Sequence, residues 1–172
     1  MEPYMLFSRD TRALIYNMQP RAIQRMLDFD YLSCREKPSI AGVVNPGGSG
    51  AHKAHWGMGE ILIPIYPSIE AAMEENPDVD TMINFASFRS SYASTKEGLE
   101  HPSVRVVAVI AEGIPERDER ELRHLAKEKN KIIIGPATVG AVGSGAFKVG
   151  NTGGTIENIK EQKLYRRGSV GL

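Results

Sequence analysis

Apolar and polar residues alternate along this chain in blocks that predict short buried strands, each followed by an amphipathic helix. Seven of the eight residues at 104–111 are apolar and rich in valine, which is typical of a strand buried on both faces in a parallel sheet. That strand ends at Glu112, and Pro115 suits the first turn of a helix. Residues 116–130 place apolar side chains at helical spacing, opposite a charged face. This stretch therefore predicts a strand, an acidic corner and a helix.

The same alternation extends through the rest of the chain. Further strands are predicted at 12–16, 39–44, 60–66, 81–85 and 131–134, of which the second and the last are buried, and further helices at 20–27, 68–76 and 91–99. Pro64 favours an edge position for the third of these strands, because proline has no backbone N–H to donate. The glycine-rich residues 45–50 and residues 52–59 are predicted to form one long connection. Alternating strands and helices predict an α/β fold in three layers, with helices on both faces of a mostly parallel sheet.

Composition narrows the classes of partner. The 172 residues are 41% hydrophobic and 24% charged, an ordinary composition for one domain plus a tail. The 21 Lys and Arg residues balance the 21 Asp and Glu residues, so we expect neither a nucleic acid nor a membrane as partner. Cys34 is the single cysteine, which indicates a reducing cytoplasm, and no apolar stretch approaches the roughly 20 residues that span a bilayer. We therefore predict a cytoplasmic protein.

The last part of the chain differs from the rest. Residues 135–154 are rich in glycine, and residues 165–170 (YRRGSV) end in what predicts the first residues of another strand. We therefore expect one domain over residues 1–165. Residues 166–172 are expected to be a linker or the truncated start of a further domain.

The carboxyl ends of parallel strands form the edge at which ligands bind in such sheets. A dinucleotide site is not indicated, because residues 17–22 (NMQPRA) replace the G-x-G-x-x-G fingerprint after the first strand. The helix that begins near Pro20 still offers free N–H groups and the positive end of its dipole. Gln19 and Arg21 add donors there, so the sequence favours a phosphorylated ligand other than NAD.

Two histidines invite a metal interpretation. His52 and His55 lie close together in sequence, but a stable site needs three or four ligands. No further residue of suitable type lies nearby in the sequence, so we predict no metal site.

Five segments carry a resemblance to a known family. They are INFASFRSSYAST at 83–95, IAEGIPE at 110–116, IIGPATVG at 133–140, FKVGNTGG at 147–154 and KLYRRGSV at 163–170. Together they make the chain similar to the CoA-binding domain of ATP-citrate lyase and, more distantly, to that of the succinyl-CoA synthetase alpha subunit. The resemblance runs from about Phe7 to Leu172. It implies a Rossmann-like domain that holds coenzyme A at the carboxyl ends of its strands.

By the same resemblance, certain residues contact the cofactor. These are Gln19, Pro20, Arg21 and Ala22 in the first turn, Phe85, Ala86, Ser87, Arg89 and Ser90 in a second loop, and Ala111 and Gly113 in a third. Phe85 or Phe88 would pack on adenine, and Arg89 would meet a phosphate. The synthetases carry a lysine in a P-G-K-G-G loop, whereas residues 46–48 are Pro-Gly-Gly, so that contact is lost or passes to Lys53.

Glu112 is the catalytic candidate. It matches a family glutamate that lies against a phosphohistidine carried on the following domain, where it would orient the imidazole. It also has an ordinary interpretation as a cap of the helix that follows. Ser87 and Ser90 have a similar one, because serines often close turns.

The resemblance implies an enzyme that converts citrate, CoA and ATP to acetyl-CoA, oxaloacetate, ADP and phosphate, through a phosphohistidine, citryl phosphate and citryl-CoA. The sites for ATP and Mg²⁺, and the phosphorylated histidine, would lie outside this chain. We therefore expect the chain to bind CoA without catalysis, as part of a larger oligomer with the remaining domains or subunits. Two alternatives stay open: a citryl-CoA or succinyl-CoA synthetase alpha-type subunit, and a free-standing CoA-binding protein.

Overall fold

The computed structural model describes residues 6–169, in which helices flank a seven-stranded sheet and a two-stranded hairpin lies beside it. The strands are β1 (Ala13–Tyr16), β2 (Ile40–Val44), β3 (Ala51–Trp56), β4 (Gly59–Tyr66), β5 (Thr81–Asn84), β6 (Val106–Val109), β7 (Ile132–Ile134), β8 (Gly140–Gly143) and β9 (Phe147–Gly150). The helices are α1 (Pro20–Leu32), α2 (Ile69–Glu75), α3 (Phe88–Glu100), α4 (Glu116–Glu128) and α5 (Ile156–Glu161). No helix within this described part is long and apolar enough to cross a membrane.

The large sheet has the strand order β3-β4-β2-β1-β5-β6-β7, and every pair is parallel except β3 with β4. The chain leaves β1 through α1 to reach β2 on one side, and it later returns through α2 to β5 on the other side. The direction of winding therefore reverses between β1 and β5. In open α/β sheets the ligand crevice forms at such a switch point, outside the carboxyl ends of the strands. The predicted α/β fold with a mostly parallel sheet is confirmed.

Two predictions near β3 are wrong. Residues 52–59 are not part of a long connection, because Ala51–Trp56 forms β3 and pairs antiparallel with β4. Pro64 does not mark an edge strand either, since β4 lies between β3 and β2. Proline is tolerated there because pairing with β2 begins one residue later, at Ile65. The Ile65 N–H donates to the carbonyl of Gly50 at 2.9 Å.

Three other boundaries or environments differ from expectation. The helix α3 begins at Phe88, three residues before the predicted start at Ser91. The strand β7 is only half-buried, because no further strand within residues 6–169 lies beyond it at the sheet edge. The hairpin of β8 and β9 and the helix α5 were not predicted. The strand predicted to begin at residues 169–170 extends outside the described residues.

The two faces of the sheet carry separate apolar clusters. Alternation along β1 sends Leu14 into the cluster under α2, α3 and α4, and Ile15 into the cluster under α1. Phe147 and Val149 of β9 are buried in the α1 cluster, and the ring of Phe7 lies 4.9 Å from that of Phe147. The hairpin therefore completes the same layer as α1, and its carboxyl end reaches the edge at which β1 ends.

Candidate functional site

The loops that follow the parallel strands leave the sheet side by side at its carboxyl edge. Backbone hydrogen bonds tie each loop to its neighbour: Asn17 N to Val44 O at 2.8 Å, Phe85 N to Tyr16 O at 2.9 Å, Ile110 N to Asn84 O at 3.0 Å and Ala137 N to Ala111 O at 2.9 Å. The edge therefore brings together three groups of predicted site residues, from the loops after β1, β5 and β6.

The first group lies at the N-terminus of α1. Gln19 is the N-cap residue and its side chain makes no capping hydrogen bond, while Pro20 occupies the first turn. The N–H groups of Arg21 and Ala22 precede the first intrahelical bond, from Ile23 N to Gln19 O at 3.0 Å. Such N–H groups have no acceptor within the helix and carry its positive dipole end. Ala22 is 0% exposed, so neither its side chain nor its backbone reaches solvent.

The second group lies at the N-terminus of α3 rather than in a free loop. Ser87 is the N-cap residue, again without a side-chain cap, and Ser90 follows within the first turn. The Oγ atoms of Ser87 and Ser90 lie 3.3 Å apart. Arg89 is exposed, and its guanidinium carbon lies 5.3 Å from the centre of the Phe88 ring. Two uncapped helix N-termini, each with an exposed arginine, therefore flank the switch point between β1 and β5.

The two phenylalanines proposed for base stacking have different surroundings. Phe85 packs in the cluster under α1, and a Cβ built on Gly150 of the hairpin would lie 3.6 Å from its ring. Phe88 is 50% exposed and carries no such cover. Phe88 is thus the more accessible of the two rings, with the Arg89 guanidinium over one of its faces.

The third group follows β6. Glu112 is exposed, and no residue in the described range 6–169 forms a hydrogen bond or ion pair with its carboxylate. It does not cap α4, because the N-cap residue of that helix is Pro115. Gly113 has a φ of 79° and bends the chain away from the strand. The ordinary interpretation of Glu112 as a helix cap is therefore not realised, and its carboxylate faces solvent.

Lys53 lies apart from these groups. It occupies the middle of the edge strand β3, and its ammonium group pairs with Glu60 at 2.6 Å. Both side chains are well exposed. His52 and His55 lie on the same strand, and no group of three or more His, Cys, Asp or Glu residues able to hold a metal occurs in the described part of the chain. The structure brings neither Lys53 nor the histidines to the switch point.

Two residues of the site region were given no role from the sequence. Asn84 ends β5 at the switch point with a buried amide, and Asn151 follows β9, where its Oδ1 lies 3.4 Å from a guanidinium nitrogen of Arg25 on α1. Ser94 and Thr95 follow Asn84 by ten and eleven residues, in the helix after the strand, and supply polar partners for its buried amide. Nothing comparable in the sequence marks the contact between Asn151 and Arg25.

The hairpin also buries a lysine beneath α1. Lys148 is 0% exposed, and its Nζ donates to the backbone carbonyl of Arg25 at 3.3 Å. Burial, followed by the charge of Arg25, lowers the pKa of Lys148 to about 8, although Asp28 and Asp30 act in the opposite direction. The charged form of Lys148 is therefore less stable in the folded protein than in the unfolded chain.

We expect the free energy of unfolding to rise with pH as Lys148 titrates. Its folded pKa of about 8 lies below the ordinary 10.5, so the unfolded chain binds more protons between these values and stability increases with pH. A rise of about 2 kcal/mol is expected across this window. Urea denaturation at pH 7.5, 9 and 10.5 measures it. Lys148→Met should remove most of the rise, whereas Lys160→Met, on exposed α5, should keep it; a rise of equal size in both variants would contradict the assignment.

A mostly parallel sheet flanked by helices, with helix N-termini at the switch point, defines a Rossmann-like α/β domain. Within this class the chain is homologous, over nearly its whole length, to a segment of the ATP-citrate synthases, which are also called ATP citrate lyases. ATP-citrate synthase beta chain protein 1 of Oryza sativa subsp. japonica is 56% identical over 167 residues, which are 97% of this chain and 28% of the relative. No protein-family model matches the chain.

Solved structures agree with this assignment. ATP citrate lyase from Methanosaeta concilii, in complex with (3S)-citryl-CoA, superposes with a TM-score of 0.96 at 52% identity. ATP citrate lyase from Methanothrix soehngenii, in complex with citrate and coenzyme A, gives the same two values. Each comparison covers 99% of this chain and 28% of the other chain. The predicted resemblance is confirmed, and the chain spans about 28% of the length of these relatives.

Proposed function

We propose that this chain is the CoA-binding part of an ATP-citrate lyase. The observation that carries the proposal is the pair of uncapped helix N-termini, those of α1 and α3, which flank the switch point between β1 and β5 and carry Arg21 and Arg89. Coenzyme A carries a pyrophosphate and a 3′-phosphate, and both are groups that such N-termini and arginines bind. The similarity to a lyase solved with citrate and coenzyme A supports the same ligand.

Different groups of predicted residues would bind different parts of coenzyme A. The backbone N–H group of Arg21 would bind the pyrophosphate, with Gln19, Pro20 and Ala22 shaping that turn. The first turn of α3, with Ser87, Arg89 and Ser90 after Ala86, would bind the other phosphate. Phe88 would cover the adenine ring, and Phe85 would support that surface from below. Lys53 is the weakest member, because it is paired with Glu60 away from the crevice.

Glu112, flanked by Ala111 and Gly113, would serve a histidine of another domain. A carboxylate without an internal partner can accept a hydrogen bond from an imidazole N–H and hold the ring in one orientation. In the complete enzyme this histidine would carry the phosphoryl group, with ATP and Mg²⁺ bound elsewhere. The chain would then take its place in a larger cytoplasmic oligomer, beside the remaining domains or subunits. An identity of 52% to two lyase structures favours this parent over a synthetase.

Calorimetric titration of the chain with CoA tests the proposal, with NAD and ATP as controls at matched ionic strength. We expect saturable binding of CoA alone. Arg89→Ala should weaken CoA about tenfold or more, because a hydrogen bond to a charged group contributes about 1.5 to 3 kcal/mol. If Arg89 meets the 3′-phosphate, the variant should lose less affinity for dephospho-CoA than for CoA.

A matched variant controls for the change in net charge. Lys96→Ala removes one positive charge from the same helix about two turns further along, where the side chain is exposed. It should leave CoA affinity within about twofold, since exposed charges more than 10 Å apart are largely screened at 0.1 M salt. Failure of the wild-type chain to bind CoA, or equal binding of NAD, would contradict the proposed function. Equal losses in the two variants would remove the role of Arg89.

A further inference from the structure

Asn84, the last residue of β5, places a polar side chain in the interior at the switch point. It is 0% exposed, and both ends of its amide are hydrogen-bonded. Its Oδ1 accepts from the backbone N–H of Ala86 at 2.9 Å. Its Nδ2 donates to Ser94 Oγ at 2.8 Å and to Thr95 Oγ1 at 2.9 Å. A buried amide is costly unless its groups are paired, and here each end of the amide has a partner.

These bonds connect three parts of the chain. The strand β5 is joined to the corner at Ala86 and to the second turn of α3, which carries Ser94 and Thr95. Ser94 passes the connection on, because its Oγ also donates to the carbonyl of Ser90, in the first turn, at 3.0 Å. Ser94 and Thr95 are buried as well. No ligand at the surface can touch this network, so any effect on binding must pass through the corner and the helix.

We infer that Asn84 is a positioning residue for the ligand-binding corner. It fixes the backbone from Ala86 to Ser90 relative to the sheet, so that Ser87, Arg89 and Ser90 face the crevice in one arrangement. Only a side chain that accepts and donates at once can hold both the corner and the helix. The identity of the ligand rests on the proposed function, whereas the fixing of the corner does not.

The chain offers a matched control at the other end of the same strand. Thr81 begins β5, is equally buried, and its Oγ1 donates to Asp80 at 2.9 Å. Thr81→Val deletes one part-buried hydrogen bond at the opposite end of the same strand. Both this variant and Asn84→Ala lose stability, but only Asn84→Ala releases the corner.

Two measurements test the inference under conditions where each variant is folded. Amide hydrogen exchange, followed by NMR, should be about tenfold faster at Ala86 and Ser90 in Asn84→Ala, relative to the change in global stability, and unchanged in Thr81→Val. Affinity for CoA should fall about tenfold in Asn84→Ala, equivalent to losing one or two hydrogen bonds of preorganisation, and should not change in Thr81→Val. If Asn84→Ala does not fold, Ser94→Ala should show the same local exchange effect at smaller size.

These measurements test the positioning role of Asn84 separately from the proposed binding of CoA. Unchanged local exchange in Asn84→Ala or Ser94→Ala, or an equal effect in Thr81→Val, overturns the positioning role. If the corner exchanges faster but CoA affinity is retained, the positioning role for the ligand is also overturned. If the wild-type chain binds no CoA, the proposed function fails, and the exchange measurement alone decides whether Asn84 holds the corner.

Discussion

Replacing Arg35 with methionine is expected to lower the free energy of unfolding by about 3 to 5 kcal/mol, as the loss of one partner of a buried ion pair does. Arg35 is 7% exposed. Its guanidinium donates to the carbonyls of Ala146 and Thr11, each at 2.8 Å, and lies 3.5 Å from the carboxylate of Asp30. It therefore joins the turn of the hairpin to the start of β1 and to α1. Methionine fills a similar volume but leaves both buried carbonyls without this donor.

The expected loss depends on pH, because the partner carboxylate titrates. Burial raises the pKa of Asp30 to about 6, although the Ser39 hydrogen bonds and the charge of Arg35 oppose this shift. Below that pKa the folded protein holds Asp30 mostly neutral, and little of the ion pair remains to be lost. Above it the carboxylate is charged and depends on Arg35. The loss in the variant should therefore be smaller at pH 5 than at pH 8.

Urea denaturation of the wild-type chain and of Arg35→Met, at pH 5 and at pH 8, measures how the loss of stability depends on pH. Arg9→Met is the matched control, because Arg9 also donates to two backbone carbonyls, those of Ser33 at 2.7 Å and Cys34 at 2.6 Å. Arg9 is exposed, so its removal should cost less than about 1 kcal/mol. Equal losses of unfolding free energy in Arg35→Met and Arg9→Met would contradict the expectation that burial makes Arg35 more stabilising than Arg9.

The strands of the sheet could be predicted where burial on both faces makes their sequence almost entirely apolar. Continuous apolar runs identified β2 and β6, and Pro20 and Ser68 marked the starts of α1 and α2. The strand β3 was missed because AHKAHW contains no β-branched residue and carries two histidines and a lysine. It forms a strand through its antiparallel partner β4, and such pairing is a tertiary effect that local sequence does not encode.

Only the parts of the candidate site that depend on local sequence signals could be predicted. The N-terminus of α1 follows from proline at its first position, a local signal. The start of α3 at Phe88 does not follow from a local signal, because Asn84 holds that turn through its hydrogen bonds to Ala86 and Ser94. The burial of Lys148 was equally hidden, since a lysine between two buried apolar residues normally points to solvent. Long-range partners decide these positions, whereas composition decides the strands.

The hairpin supplies the second large effect, through Gly140. This residue has a φ of +116°, and a Cβ built on it would overlap the carbonyl oxygen of Val149 and lie 2.7 Å from Thr152 Oγ1. Val149 immediately precedes Gly150, which pairs with Gly140 in the hairpin, and Thr152 lies two residues after Gly150. Gly140→Ala thus combines a strained backbone with a clash against a backbone atom that cannot move alone. We expect it to lower the free energy of unfolding by about 3 kcal/mol.

Gly47→Ala separates strain from clash. Gly47 also has a positive φ, +75°, but nothing lies within 4 Å of a Cβ built on it, so that variant should cost only about 1 kcal/mol. Urea denaturation compares the two. Because Gly150 lies against Phe85 and Ile110 at the crevice, Gly140→Ala should also weaken CoA more than Gly47→Ala does. Equal losses of stability would mean that the hairpin yields to the added methyl group, and it would then be too compliant to support the loop after β5.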